Sequence, residues 1–162
     1  MKIRKAKLKD VTKIVNLWKE FMKNHDELVI KVDKKQKPYT EKKTDASSKF
    51  KKFIEKNIRS RNGIIYISEV DRRLVGYLLA YIKENIPIFK IDKLGYISDL
   101  FVKKEFRGLG VSSKLKEEVF KWFKKKKVKY ASISADSRNK YAHSIYKKWS
   151  FVDYHIEMRR KL

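Results

Sequence analysis

At 162 residues, with 42% hydrophobic and 13% aromatic side chains, the chain is sized for a single domain, 1–162, with a sizeable core; a wholly disordered basic polypeptide is excluded. Its 43 Lys and Arg against 19 Asp and Glu leave +24, spread evenly: 22 basic and 10 acidic residues in 1–81, 21 and 9 in 82–162. Such a cationic skin attracts anionic partners, and the absence of cysteine excludes disulfides, thiol nucleophiles and thiolate-held metals.

Ile3 to Ala6 is a short strand-like opening. Val11, Ile14, Val15, Trp18, Phe21 and Met22 then recur at i, i+3, i+4 and i+7, one face of an amphipathic helix, with Asp10 favourable at its first turn. Lys31 to Asp45 is polar, has no apolar period and contains Pro38, so it reads as a loop. Ser47 and Ser48 are candidate caps for a second helix with Phe50, Phe53, Ile54 and Ile58 inward. Asn62-Gly63 is a turn. Ile64 to Ile67 and Leu74 to Ile82 are β-rich runs separated by Val70-Asp71-Arg72-Arg73, which predicts a hairpin. Ile86 to Lys93, with Pro87, is an irregular connection, and Gly95 to Val102 is strand-like again. Val111, Leu115, Val119, Trp122 and Phe123 mark a third helix and Tyr130 to Ala135 a short strand. Ala142, Ile145, Tyr146 and Trp149 mark a fourth helix, and Phe151 to Arg159 a last strand. No apolar run approaches the ~20 residues of a membrane span. Charged residues crowd Met1, so no secretory signal is expected and the cytoplasm is the default compartment. His25, His143 and His155 do not cluster with carboxylates at ligand spacing, so no metal is expected.

The most informative stretch is Gly95 to Ser113, a β-rich run followed by a glycine-containing turn that opens a helix. Gly108 and Gly110 let the backbone take positive φ and approach a ligand closely. The first N–H groups of the helix have no intrahelical partner and carry the positive end of its dipole, which suits a pyrophosphate with Arg107 nearby. An ordinary tight strand–turn–helix connection would have the same pattern, since a bare G-x-G is a weak signal.

Leu100-Phe101-Val102, followed after four residues by Arg107-Gly108-Leu109-Gly110-Val111-Ser112, resembles the acetyl-CoA signature of the GNAT superfamily of N-acetyltransferases. Asn139, Ala142, Tyr146 and Phe151 resemble that family's downstream N-x-x-A-x-x-x-Y-x-x-x-G-F pattern, and the order of elements matches from near Ile3 to near Arg160. Ser112 stands where the signature ends in Gly or Ala, and Ser150 where Gly usually precedes Phe. The resemblance implies an α/β (α+β) GNAT fold: a central mixed, mostly antiparallel sheet of six to seven strands flanked by about four helices. It also implies transfer of an acetyl group from acetyl-CoA to a primary amine, whether of a small molecule, a lysine side chain or a protein N-terminus, by direct attack in a ternary complex.

By the same resemblance, Leu100, Phe101, Val102, Arg107, Gly108, Leu109, Gly110, Val111, Ser112, Ser113, Asn139 and Tyr146 bind acetyl-CoA. A backbone N–H on the strand serves the oxyanion, and Tyr146 matches the general-acid tyrosine. From periodicity alone Tyr146 reads first as a core aromatic beside Ala142 and Trp149, and the motif around it reverses that reading. Polyamine and diamine acetyltransferases, which the stretch Tyr81 to Val102 resembles most, carry an adjacent Glu-Asp on this strand; here the pair is Ser98-Asp99. Asp99 is then the candidate base, with Glu69 as rival, although side chains alternate faces along a regular strand and only a bulge re-aims them. A polycationic acceptor needs an acidic pocket in a +24 protein, and Asp26, Glu27 and Glu84 are candidates to line one. Many relatives are homodimers, so a homodimer is expected. The alternative is a catalytically silent GNAT-fold module that binds nucleic acid or a ribosomal partner through its basic surface, including Lys124 to Lys127.

Overall fold

The computed structural model describes residues 1–32 and 34–160. Five strands form one sheet in the order β1-β2-β3-β4-β5: β1 (Lys2–Lys5), β2 (Gly63–Val70), β3 (Arg73–Glu84), β4 (Lys93–Val102) and β5 (Ala131–Ile133). Neighbours are antiparallel except β4 and β5, which run parallel. The helices are α1 (Val11–Val32), the single turn α2 (Lys37–Thr40), α3 (Ala46–Arg59), α4 (Val111–Lys125) and α5 (Lys140–Lys148).

The sheet is buried on both sides because the middle of β2 and β3 is apolar at nearly every position rather than at every second one. Tyr77 and Leu79 of β3 point into a core with Val11, Ile14 and Leu17 of α1 and with Phe50 and Ile54 of α3. Leu78 and Ala80 point the other way, against Leu115, Val119, Trp122 and Phe123 of α4. The helical periodicities of the sequence are these inward faces. The hairpin between β2 and β3 turns on Asp71 and Arg72 alone, both at positive φ (48° and 63°). That is the two-residue turn whose twist suits a hairpin, built without glycine at a cost of about 1–2 kcal/mol per left-handed residue.

Several expectations need correction. The sheet has five strands among the described residues rather than six to seven. Among the described residues Phe151 to Arg159 pairs with no strand, and β5, only three residues long, stays the edge of the sheet. The segment Lys31 to Asp45 is not a simple loop. Helix α1 runs on to Val32, a 3-10 turn follows at Lys34–Gln36, and α2 places Pro38 in its first turn, where a missing N–H costs nothing; Asp33 lies outside the described residues. Helix α3 begins at Ala46, so Ser47 and Ser48 sit inside it, and Asp45 holds the cap position without a side-chain bond. Strand β5 is three residues, shorter than Tyr130 to Ala135, and Asp10 ends a 3-10 turn ahead of α1 instead of lying in the helix. Lys124 to Lys127 closes α4, where cations suit the helix dipole.

Candidate active site

The site is built where β4 and β5 part. They pair only from Gly95 to Ile97 against Ala131 to Ile133. Beyond Ile97 the backbone edge of β4 that faces β5 has no strand partner, and a cleft of about 700 Å³ opens there. Its walls include Ser98 to Val102 of β4, Arg107, Gly108, Val111 and Ser112 of the next turn and helix, and Asn139, Ala142 and Tyr146 of the last helix and its cap.

A β-bulge aims Asp99. On β3, Leu79 faces Asp99 while the next residue, Ala80, faces Ile97, so Ser98 is left over. Residues opposite each other share a face of the sheet. Ile97 therefore packs on the α4 side with Ala80, and Asp99 turns to the α1 side with Leu79 and Phe101. Without the extra residue both would share one face. Asp99 is buried near Tyr77 and Tyr81, and among the described residues its carboxylate's one hydrogen bond comes from the Ser98 hydroxyl at 2.9 Å. Burial with no cation beside it pushes its pKa up to about 6, and the Ser98 bond only partly opposes that shift.

The turn after β4 is held open by backbone conformation. Gly108 and Gly110 have φ of 79° and 75°, and a Cβ on either would meet nothing within 4 Å. Their requirement for glycine is conformational, and the space above them is free. Gly110 caps α4 with no side chain, so the N–H groups of the first turn point out unclaimed. Arg107 donates from Nε to the Val102 carbonyl at 3.0 Å, which ties the turn to the end of β4 and holds the guanidinium beside the cleft.

On the opposite wall, Asn139 caps α5 by accepting from the Ala142 N–H at 3.0 Å. That cap fixes where α5 starts, and Tyr146 follows two turns later. Burial pushes its phenol up to about 12. Its ring leans on Trp149 and Phe151, with centroids 5.7 and 6.3 Å away.

The cleft continues past Asp99 to α1 and α2, where acids gather. Asp26, Glu41 and Asp136 line this end together with His25 and Lys42. His25 bridges the mouth, with Nδ1 3.4 Å from Asp26 and Nε2 3.9 Å from Asp136. Lys42 pairs with Asp26. Asp136 accepts two bonds from the Arg138 guanidinium, at 2.6 and 2.7 Å, which hold its pKa below the ordinary carboxylate value. Among the described residues no group of three or more His, Asp or Glu side chains is placed to hold a metal ion, and no helix is long and apolar enough to cross a membrane.

The model of the acetyltransferase (GNAT) family matches residues 17–151. The chain belongs to that family. An uncharacterised N-acetyltransferase of Archaeoglobus fulgidus is 28% identical over 146 residues, spanning 90% of this chain and 89% of its own. A predicted acetyltransferase of Clostridium acetobutylicum, solved with acetyl-CoA, superposes with a TM-score of 0.79 at 17% identity, covering 99% of this chain and 95% of that one. An aminoglycoside acetyltransferase from an uncultured soil metagenomic sample, in complex with sisomicin, superposes with a TM-score of 0.69 at 19% identity over the same shares. These two likenesses are of fold.

Within this GNAT domain, most residues of the sequence motif meet at one cleft. Leu100, Phe101, Val102, Arg107, Gly108, Val111, Ser112, Asn139 and Tyr146 all line it, as does Asp99. Leu109, Gly110 and Ser113 belong to the same turn and helix start but not to the cleft wall, and Leu109 is 64% exposed. Glu69, the rival base, is elsewhere. It receives the Arg4 guanidinium at 2.7 and 2.8 Å near the β1 end of the sheet. Of the three acids expected in an acceptor pocket only Asp26 lines the cleft. Glu27 lies in the groove between α1 and α3, and Glu84 pairs with Lys93 at the far end of β3 and β4. Sequence reasoning missed Glu41, Asp136 and the bridging His25, which stand on three separate elements with no shared spacing to reveal them.

Proposed function

We propose that the protein transfers the acetyl group of acetyl-CoA to a primary amine on a small acceptor bearing more than one positive charge, with both substrates held in the cleft at once. One observation carries this reading: a single cleft joins an uncapped helix N-terminus and a free strand edge at one end to a buried, partner-poor carboxylate and a cluster of acids at the other. Acetyl-CoA supplies an acetyl thioester, a pyrophosphate and an amide-bearing arm. The first-turn N–H groups of α4 and Arg107 suit the pyrophosphate, and the unpaired edge of β4 at Leu100, Phe101 and Val102 suits the arm. The empty space over Gly108 and Gly110 leaves room for it.

Asp99 acts as the base. With a pKa of about 6 it is ionised at neutral pH yet binds a proton better than an exposed carboxylate. With the acceptor entering as the free amine, it takes the proton that the nitrogen sheds as it bonds to the acetyl carbonyl carbon, directly or through water, while the C–S bond breaks and the sulfur leaves as thiolate. Tyr146 keeps its proton throughout. Full transfer from a phenol at about 12 to a thiolate of pKa ~8.5 is uphill by about 5 kcal/mol, so its role is to donate a hydrogen bond to the departing sulfur. Glu41 receives an ammonium group of the acceptor, and Asp26 and Asp136 receive others by exchanging Lys42 and Arg138 for them, which reconciles a cationic substrate with a +24 surface. The diamine and polyamine likeness of β4 points the same way.

The test is thiol release from acetyl-CoA with a panel of monoamines, diamines, polyamines, aminoglycosides and lysine peptides. Multiply charged small amines should lead the panel. Tyr146→Phe should lower kcat roughly ten- to hundredfold with little change in the amine KM, the mark of an interaction made in the transition state. Equal turnover of neutral-bodied monoamines and polyamines would remove the acidic end from the account, and no turnover with any amine would remove the whole reading.

A further inference from the structure

Three stretches of chain meet at the end of the sheet opposite the glycine turn. β3 ends at Glu84 and β4 begins at its partner Lys93, with the loop 85–92 between them. Asn62, just past α3, accepts the Ile82 N–H at 2.8 Å, and Tyr130, just past α4, accepts the Gly95 N–H at 2.9 Å. The close of α3, the close of α4 and this loop therefore share one end of the molecule.

That end concentrates the charge. The stretches 56–61, 83–93 and 124–130 hold eleven Lys and Arg against Glu84 and Asp92, so 24 of the 162 residues carry +9 of the +24. Every one of these charged side chains is exposed. The run Lys124 to Lys127, which the candidate active site does not use, lies here.

The loop adds an apolar tip. Ile86, Ile88 and Phe89 are 59%, 82% and 49% exposed. They are held out by an ordered turn. The Phe89 N–H donates to the Ile86 carbonyl at 3.1 Å, with Pro87 at the second position, where its fixed φ suits a turn. At the base, the Asn85 N–H donates to the Asp92 carbonyl at 2.7 Å and its side-chain amide to the Ile91 carbonyl at 2.9 Å. A preformed turn loses little conformational freedom on binding.

We propose that this end of the molecule docks on an anionic lipid surface. Ile86, Ile88 and Phe89 enter the head-group layer, and the surrounding lysines and arginines lie over the lipid phosphates. Neither feature is sufficient alone: three apolar side chains hold a bilayer weakly, and a basic patch adsorbs to any polyanion. Together they match an acyl layer beneath anionic head groups. A nucleic acid would take the cations and leave two isoleucines at the apex in water. β4 runs ten residues from Lys93 to Val102, roughly 30 Å at ~3.3 Å per residue, so the glycine turn stands clear of the docked surface.

The chain has no cysteine, so a fluorophore can be placed on one introduced thiol. Labelled Ile88→Cys is compared with labelled Lys2→Cys, which pairs with Glu69 at the far end of the sheet. At about 0.15 M salt the full protein should float with phosphatidylcholine vesicles that contain phosphatidylglycerol, and not with phosphatidylcholine alone. Bromine atoms on the acyl chains should quench the label at 88 severalfold more than the label at 2. Ile88→Asp should weaken vesicle binding by about tenfold or more, and so should Lys125→Glu combined with Lys126→Glu. Equal quenching at the two positions, or an Ile88→Asp variant that binds as well as the wild type, means adsorption by charge alone and overturns the proposal. Absence of flotation overturns it too, as does a protein that leaves the vesicles for duplex RNA. Circular dichroism of each variant separates lost docking from lost folding.

Discussion

Asp10 and Asp99 are both buried carboxylates at the sheet, 3% and 8% exposed, and they are driven in opposite directions. Arg4 grips Asp10 through two guanidinium bonds, at 2.7 and 2.9 Å, while the Lys7 N–H adds a third. Its pKa is held below the ordinary value, first by Arg4. Asp99 has only a serine hydroxyl, and burial lifts it to about 6. The same group is held ionised in one place and made easier to protonate in the other: Asp10 has a guanidinium and a backbone N–H against it, and Asp99 is more deeply desolvated with a hydroxyl alone. Burial by itself tells nothing about role.

The largest effect should come from removing the partner-poor acid. Asp99→Asn is expected to cut kcat/KM roughly 10²- to 10⁴-fold. In the wild type kcat/KM should rise as pH climbs through about 6, and the variant should lose that limb. Stability moves the opposite way. Because the folded pKa of Asp99 is raised, folding favours its protonated form, and that advantage disappears as pH rises through 6, a loss of about 3 kcal/mol. The melting temperature of D99N should therefore exceed that of the wild type by more at pH 8 than at pH 5. A variant no more stable at pH 8 would mean that Asp99 is paired and not alone.

Next in size is Arg4→Met, which makes Asp10 resemble Asp99. Leaving a buried carboxylate without its cation should cost about 3–5 kcal/mol at pH 7, read by urea unfolding. The folded pKa of Asp10 is depressed, so its contribution is present above the unfolded value of ~4 and lost as pH falls below it. The variant and the wild type should converge in acid. Activity per folded molecule should not change, since the Arg4, Asp10 and Glu69 cluster does not line the cleft.

The smallest effect comes from a change that involves no charge at all. Gly110→Ala should destabilise the protein by about 1–2 kcal/mol through left-handed backbone strain alone, because a Cβ there touches nothing. If the open space above the turn is where the cofactor passes, the KM for acetyl-CoA should rise severalfold while kcat changes little. An unchanged KM would leave Gly110 as a purely conformational glycine.

Much of the architecture is legible in the chain because it is written locally. The apolar faces of α1, α3, α4 and α5 can be counted at helical spacing, the β-rich runs around Val70 to Arg73 show a hairpin, and the glycine turn before α4 stands out by residue type. The cleft residues of the motif are legible for the same reason, since they crowd into Leu100 to Ser112 and Asn139 to Tyr146. The end of the cleft beyond Asp99 is not. His25, Glu41 and Asp136 come from α1, the chain after α2 and the chain after β5, and only the packing of α1 against the open side of β4 brings them to one wall. The alternation in 151–160 is equally plain in sequence, yet whether a strand forms depends on a free edge elsewhere.

The sequence by itself determined the family motif, the order of the elements up to α5 apart from the turn α2, and the two glycines of the turn. These follow from periodicity and from φ preferences, which act over a few residues. Tertiary structure alone decided which buried carboxylate keeps a cation and which does not. It also decided that the Ser98 bulge turns Asp99 to the α1 side, and that Asp26, Glu41 and Asp136 gather along one cleft in a strongly basic protein. Those outcomes depend on hydrogen-bond register and charge pairing between segments far apart in the chain, and no local pattern encodes them.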